Sequence, residues 1–309
     1  MPYNLIPISN TGQWQEVLDT IGQYDVYHTP EYQRIAQENG EGAPWLFWFR
    51  ENETNIALPM LICENRVISV YGYPGIISNG INGYIPDDFS ISFLDCMQKR
   101  QINSLEIRQN PLIPTSQYLL DMAKIDLIGF TVAINLTLSN QDQLKDMTKG
   151  HRYDIRKAEE SGIRVWEDAG FRRMYDFVQA YNHTMLRCGA SEYYYFPELY
   201  YTNLVTRLGK YTKLFFATQG KTVVSAALFF VCNDIIQYHL SGTWSEHMHF
   251  NGAKAIIDHV RRWGKDNGYK WLHMGGGLGA SEDSPLFRFK AGFSKTRLPF
   301  EIIKWQKAF

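Results

Sequence analysis

Leu144 to Val165 reads LKDMTKGHRYDIRKAEESGIRV and sits near the midpoint of 309 residues. An extended segment, Phe130 to Leu138, precedes it, and its helical pattern stops at Gly162. Lys149, Arg152 and Arg156 fall at i, i+3 and i+7, so a helix puts all three on one face. The half of the chain after this basic helix repeats the layout of the half before it.

Working backward, Thr29-Pro30-Glu31 is a helix start, with Thr29 as cap and Pro30 at the first helical position. That helix ends at Gly40. Strands follow at Trp45 to Arg50 and Ile56 to Cys63, joined by a polar turn, with a third at Val67 to Tyr71. Tyr71 to Tyr84 is a Gly-, Pro- and Asn-rich loop. Asp87 to Gln101 is a helix with acids in its first turn and bases in its last, and Leu105 to Arg108 is a strand.

Working forward, Phe171 to Arg187 is helical and Pro197 opens a helix running to Leu208. Lys213 to Thr218 and Thr222 to Val231 form a hairpin around Gln219-Gly220-Lys221, which also breaks the most apolar stretch too early for a membrane span. A strand at Ile235 to Ser241, an amphipathic helix at Asn251 to Asn267, and strands at Lys270 to Met274 and Glu301 to Gln306 complete the chain. Pro30-Glu31 lies over Pro197-Glu198, Leu46 to Arg50 over Lys213 to Ala217, and Leu58 to Leu61 over Ser225 to Leu228 without a gap. The reading is an α+β (mixed α/β) fold in two related domains, 1–140 and 141–309, with the basic helix 144–161 linking them.

Composition bounds the partners. The chain is 45% hydrophobic and 20% charged, with material for large cores. A net charge of −1 leaves anion recognition to local patches. Cys63, Cys96, Cys188 and Cys232 are scattered, with no metal-ligand spacing, as in reduced cytoplasmic proteins. The N-terminus lacks the pattern of a signal peptide. A soluble cytoplasmic protein without a metal is expected.

Three further stretches carry a resemblance. They are Ile134-Asn135-Leu136-Thr137 leading into Leu144, Arg152, Ile155, Arg156, Lys157, Ala158, Gly162 and Val165; Tyr238-His239-Leu240-Ser241-Gly242 with the helix from Asn251; and Met274-Gly275-Gly276-Gly277 followed by Ser284 to Phe293, SPLFRFKAGF. Together with the element order they resemble the Fem group of tandem-GNAT aminoacyltransferases and related envelope and polysaccharide acyltransferases. The resemblance implies two tandem domains of the acyl-CoA N-acyltransferase (GNAT) fold. It also implies transfer of an acyl group to an amine, with aminoacyl-tRNA as donor and a peptidoglycan precursor as acceptor. No heptad run exists for the coiled-coil arm of some members, and Asn135 stands where members often carry an acid.

The candidate residues each have two readings. Arg152 and Arg156, with Lys149, offer a clamp for the phosphates of a small-molecule or lipid-linked acceptor, a role the resemblance favours; otherwise they form a solvated face with Asp154, Glu159 and Glu160. Phe289-Lys290 matches the Fem donor end, where the Lys is implicated in steadying charge on the reacting acyl group, which an ammonium beside a developing oxyanion does. The other reading is a surface Lys. His239 is placed to take the proton of the attacking ammonium, and His273 lies on the neighbouring strand; a hydrogen-bonded structural His is the competing reading for both. Gly275, Gly276 and Gly277 are no dinucleotide fingerprint, but allow close backbone approach to the acceptor or a turn. Tyr194, in the cluster Tyr193 to Phe196 with Tyr200 and Tyr201, lines a sugar or peptide cleft or packs. Asn251, Gly252 and Lys254 occupy the donor-binding helix start, without the leading Arg or Gln of acyl-CoA enzymes.

The expected function is therefore transfer of an aminoacyl group from charged tRNA to an amine of an envelope or sugar-type precursor, with no bound cofactor. Acyl-CoA or an acyl carrier acting on an amino sugar is the alternative, and a non-catalytic binding protein a further one.

Overall fold

The computed structural model describes residues 2–80 and 84–307. In chain order it contains β1 (Tyr3–Pro7), α1 (Thr11–Ile21), α2 (Pro30–Glu38), β2 (Ala43–Glu51), β3 (Thr54–Cys63), β4 (Arg66–Ile68), β5 (Ile77–Ser78), α3 (Asp87–Lys99), β6 (Ser104–Arg108) and β7 (Lys124–Asn135). There follow α4 (Asn140–Asp146), α5 (Lys149–Glu160), β8 (Ile163–Glu167), α6 (Met174–Arg187), α7 (Glu198–Thr206), β9 (Thr212–Gln219), β10 (Thr222–Cys232) and β11 (Ile235–Thr243). The last elements are α8 (Gly252–Asp266), β12 (Trp271–Gly275), α9 (Pro285–Ala291) and β13 (Arg297–Gln306).

Two compact units emerge, Met1–Phe130 with Leu298–Phe309, and Thr131–Arg297. The first has strand order β1-β2-β3-β4-β6-β13, and the second β8-β9-β10-β11-β12-β7. The duplicated pattern is realised element by element. Hairpins β2/β3 and β9/β10 correspond, and so do the parallel pairs β4/β6 and β11/β12.

The unit boundaries differ from 1–140 and 141–309 because each unit takes in a strand from across the midpoint of the sequence. Beside β6 lies β13, antiparallel, with Ile303 opposite Ile107 and Trp305 opposite Leu105. Beside β12 lies the end of β7, with Ile134 opposite Leu272. Each unit thus includes a strand from the other half of the sequence. Alternation fixes which face a strand buries, but not which edge it joins. Fully buried Ile303 packs with Phe47, Phe89, Phe93, Leu105 and Ile107 in the first core, so the C-terminal strand belongs there.

The basic helix divides in two. Met147 is buried with extended backbone, and the Thr148 hydroxyl accepts from the His151 N–H at 3.3 Å, so α5 starts afresh after α4. β7 starts earlier than Phe130, at Lys124. The Tyr71–Tyr84 loop includes the short β5, and its residues 81–83 lie outside the described ones. β1 and β8, which the sequence reading passed over as strands, pair with β2 and β9 as the first strand of each unit's order.

Candidate active site

β11 and β12 run parallel, but their pairing covers only Ile235 to Gln237 against Trp271 to His273. β11 then continues six residues to Thr243, while β12 slips register against β7 after His273 and ends at Gly275. The two strands therefore part at their C-terminal ends, the place where ligands meet open α/β sheets.

At that end the chain turns sharply. Gly275 has φ +73°, which suits glycine. At Gly277 a Cβ would fall 2.2 Å from the Ser281 carbonyl oxygen and 2.4 Å from the Ser284 Oγ, so no side chain fits. The Ser284 hydroxyl accepts from the N–H groups of Phe287 (3.1 Å) and Leu278 (3.2 Å), capping α9 with Pro285 in its first turn. This short helix returns Lys290 to the end of β12. The Lys290 Nζ donates to the Gly276 carbonyl at 2.7 Å. Lys290 is 9% exposed, and among the described residues no carboxylate pairs with it. Burial pushes its ammonium down from 10.5 to about 7. The turn reading of the glycines and the buried Lys thus meet at one backbone carbonyl.

His273 is fully buried, 2.7 Å from the Gln237 Oε1 through Nδ1 and 2.9 Å from the Thr131 hydroxyl through Nε2. The carboxamide oxygen only accepts, so Nδ1 bears the proton. Burial, with the charge of Lys290 added, lowers this imidazole to about 3. His239 on β11 meets the Tyr200 hydroxyl at 2.7 Å through Nε2 and packs on Phe230 at 4.2 Å between ring centres. Burial lowers it to about 3 as well. Both stay neutral at physiological pH, and so low a value makes His239 a weak acceptor for an ammonium proton.

The basic stripe is split among tasks. Arg152 Nη1 donates to the carbonyls of Leu144 (2.8 Å) and Met147 (2.6 Å), closing the C-terminus of α4. Arg156 is exposed, 3.7 Å from Glu160, and Lys149 is exposed at the start of α5. The stripe therefore leaves Lys149 and Arg156 available to an anion, while one nitrogen of Arg152 is occupied. Lys254 is paired with Asp154 of α5. Asn251 adopts the left-handed conformation before α8, and a Cβ at Gly252 would meet the Ser225 Oγ at 2.7 Å, so Gly252 lets α8 lie close on β10. The first turn of α8 has no acidic residue and no side-chain cap. Tyr194 is half-buried and accepts from the Tyr181 hydroxyl at its carbonyl, 2.7 Å, tying the aromatic segment to α6.

Sequence reasoning missed His151. It lies on α5 with Ile155 and Ala158 at i, i+4 and i+7, the buried face turned away from Lys149 and Arg156. Its Nε2 is 2.8 Å from the Phe289 carbonyl, the residue before Lys290. The 151, 155, 158 spacing was the available signal. Among the described residues no group of three or more His, Cys, Asp or Glu is arranged to hold a metal, and no helix is long and apolar enough to cross a membrane.

Comparison with known proteins fits this geometry. A family model described as an acetyltransferase (GNAT) domain matches residues 145–290, beginning in α4 and ending on Lys290. The structure of FemX superposes with a TM-score of 0.72 at 12% identity, over 95% of this chain and 96% of that one. The chain has a tandem-GNAT fold like that of FemX, and its second unit matches the acetyltransferase (GNAT) domain. The C-terminal domain of a putative lysylphosphatidylglycerol synthetase from Agrobacterium fabrum aligns with this tandem-GNAT chain at a TM-score of 0.62 and 11% identity, covering 96% of this chain and 91% of that one. A tandem GNAT protein from the clavulanic acid biosynthesis pathway aligns at 0.51 and 10%, covering 99% and 100%. No curated protein matches the sequence.

Proposed function

We propose that this tandem-GNAT acyltransferase moves an aminoacyl group from aminoacyl-tRNA to an amine on a phosphate-bearing cell-envelope or peptidoglycan precursor in the cytoplasm. Lys290 carries the reading. A buried amine with no carboxylate partner among the described residues, held at the end of β12 by a carbonyl, is costly unless its charge is used. The amine nitrogen of the acceptor attacks the ester carbonyl carbon. A C–N bond forms, the C–O bond to the ribose breaks, the ribose oxygen takes a proton and the amine loses one. Protonated Lys290 steadies the oxyanion between these events, and no covalent enzyme intermediate is required. Exposed Lys149 and Arg156, with the free edge of Arg152, suit the phosphates of the acceptor. Pairing of Lys254 with Asp154 and the lack of a leading Arg or Gln before Gly252 favour charged tRNA over acyl-CoA as donor. FemX-like fold and the lysylphosphatidylglycerol synthetase likeness support aminoacyl transfer as the class.

One feature favours acyl-CoA instead: the first turn of α8, without acid or side-chain cap, has backbone N–H groups suited to a pyrophosphate. Incubation with labelled aminoacyl-tRNA and, separately, labelled acyl-CoA decides the donor. Loss of label from tRNA in the presence of a diphosphate-linked amine, steeply weakened by salt, is expected. Consumption of acyl-CoA alone overturns the tRNA reading.

A further inference from the structure

We propose that His151 is a positioning residue for the transfer reaction, latching α9 onto α5 and so fixing the peptide from which Lys290 projects. The inference rests on the role given to Lys290 above.

The Phe289 carbonyl only accepts, so the imidazole Nε2, 2.8 Å away, bears the proton. Nδ1 then presents its lone pair to the Thr148 hydroxyl at 3.2 Å. The Phe289 carbonyl and the Lys290 nitrogen belong to one planar peptide, so this bond orients the backbone of Lys290 directly. A second bond runs alongside, from the Thr148 N–H to the Gly292 carbonyl at 2.9 Å. The ring is wedged as well as bonded. It stands edge-on to Phe293 at 4.6 Å, and a Cβ on Gly292 would fall 2.1 Å from its Cε1. Only glycine at 292 leaves room for the imidazole.

α9 has seven residues, too few to hold its own orientation, so external contacts must set it. α5 is a fit anchor, because Lys254–Asp154 and Arg262–Glu159 (3.3 Å) tie it to α8. The charges facing His151 are Lys254 from α8 and Asp154 from its own helix. Burial, then Lys254, lowers its pKa, while the Phe289 carbonyl and Asp154 act against this. Both nitrogens are engaged, which suits a brace and not a base.

The test compares His151→Leu, which keeps apolar bulk but loses the N–H, with His151→Gln, whose amide N–H reaches the place of Nε2–H. In the full-length protein, His151→Leu is expected to lower kcat about ten- to a hundredfold with KM within about twofold, and His151→Gln to recover most of the loss. Independently of activity, the Lys290 pKa followed by 13C NMR at Cε should rise from about 7 toward 10.5 in His151→Leu and stay low in His151→Gln. Wild-type kcat per folded molecule with only a lower melting temperature, or a Gln variant no better than the Leu variant, overturns the proposal. An unmoved Lys290 pKa in His151→Leu does so too. If Lys290→Met keeps full activity, the transfer reading fails, and the NMR arm still judges the latch.

Discussion

The two units share one sheet order, yet they treat the end of their parallel strand pair in opposite ways. After β6, the first unit packs buried amides. Gln109 accepts from the Ile76 N–H at 3.0 Å and donates to the Ile113 carbonyl at 2.6 Å, and Asn110 donates to buried Asp25 at 3.0 Å. After β12, the second unit has a glycine turn and a buried Lys on a short helix. The helices between the paired strands differ in the same sense. α3 has Asp87 and Asp88 in its first turn, which already occupy its positive end, whereas α8 has no acid there. β4 spans three residues and β11 nine. One unit closes this end with buried amide hydrogen bonds, and the other holds there the residues proposed above for chemistry. Duplication of a fold therefore does not imply duplication of a site.

Among changes to stability, Ile303→Ala is expected to have the largest effect. A fully buried residue of the C-terminal strand is expected to cost about 2–5 kcal/mol. Hydrogen exchange should quicken in β2, β3 and β6 of the first unit before β9 to β12. Faster exchange confined to the second unit would contradict the strand assignment.

Next is the buried Lys itself. Its native pKa of about 7 lies below 10.5, so the unfolded chain binds the extra proton between those values. The wild type consequently loses stability as pH falls from about 10.5 to about 7, and the loss levels off below. Lys290→Met escapes this. Its melting temperature should exceed the wild type's by most near pH 7, with the gap closing toward pH 10. A gap independent of pH would mean that burial does not lower the Lys290 pKa.

Gly252→Val sharpens the contrast between the helices. Its side chain meets the Ser225 Oγ and the Val224 Cγ2 at 2.7 and 2.8 Å already at Cβ, so α8 must lift from β10 at a cost of about 1–3 kcal/mol. Donor affinity should fall with it, measured by calorimetry. The smallest effect is a gain. Gly150 lies inside α5 with nothing near its missing Cβ, so Gly150→Ala should stabilise by about 0.5–1 kcal/mol in denaturant titration.

Much of this scaffold was legible in the residues. Thr29-Pro30 and Gln219-Gly220-Lys221 mark a helix start and a turn through local stereochemistry, and both stand in the structure as read. The exchange of β7 and β13 was not legible, because period-2 alternation at Ile303 or Ile134 is satisfied beside any strand with a complementary face. The break at Met147-Thr148 had a signal, the Thr cap, overridden by the continuous run of charges. Lys290 stood out only through its resemblance to a family motif, since neighbouring Arg288 and Lys295 are equally basic but exposed. His151 was hidden because a His amid Lys149, Arg152 and Lys157 looks like part of a solvated basic face.

Dependence of transfer on protonated Lys290 at the end of β12 underlies the proposed mechanism. It is tested most directly by the pH dependence of kcat/KM, which reports the free enzyme, for the wild type against Lys290→Met. The wild type should lose activity as pH rises above about 7, the value at which Lys290 gives up its proton. Lys290→Met should be about a hundred- to a thousandfold slower and lack that descending limb. A Met variant that transfers at the wild-type rate, or retains the limb, would rule out this role for Lys290.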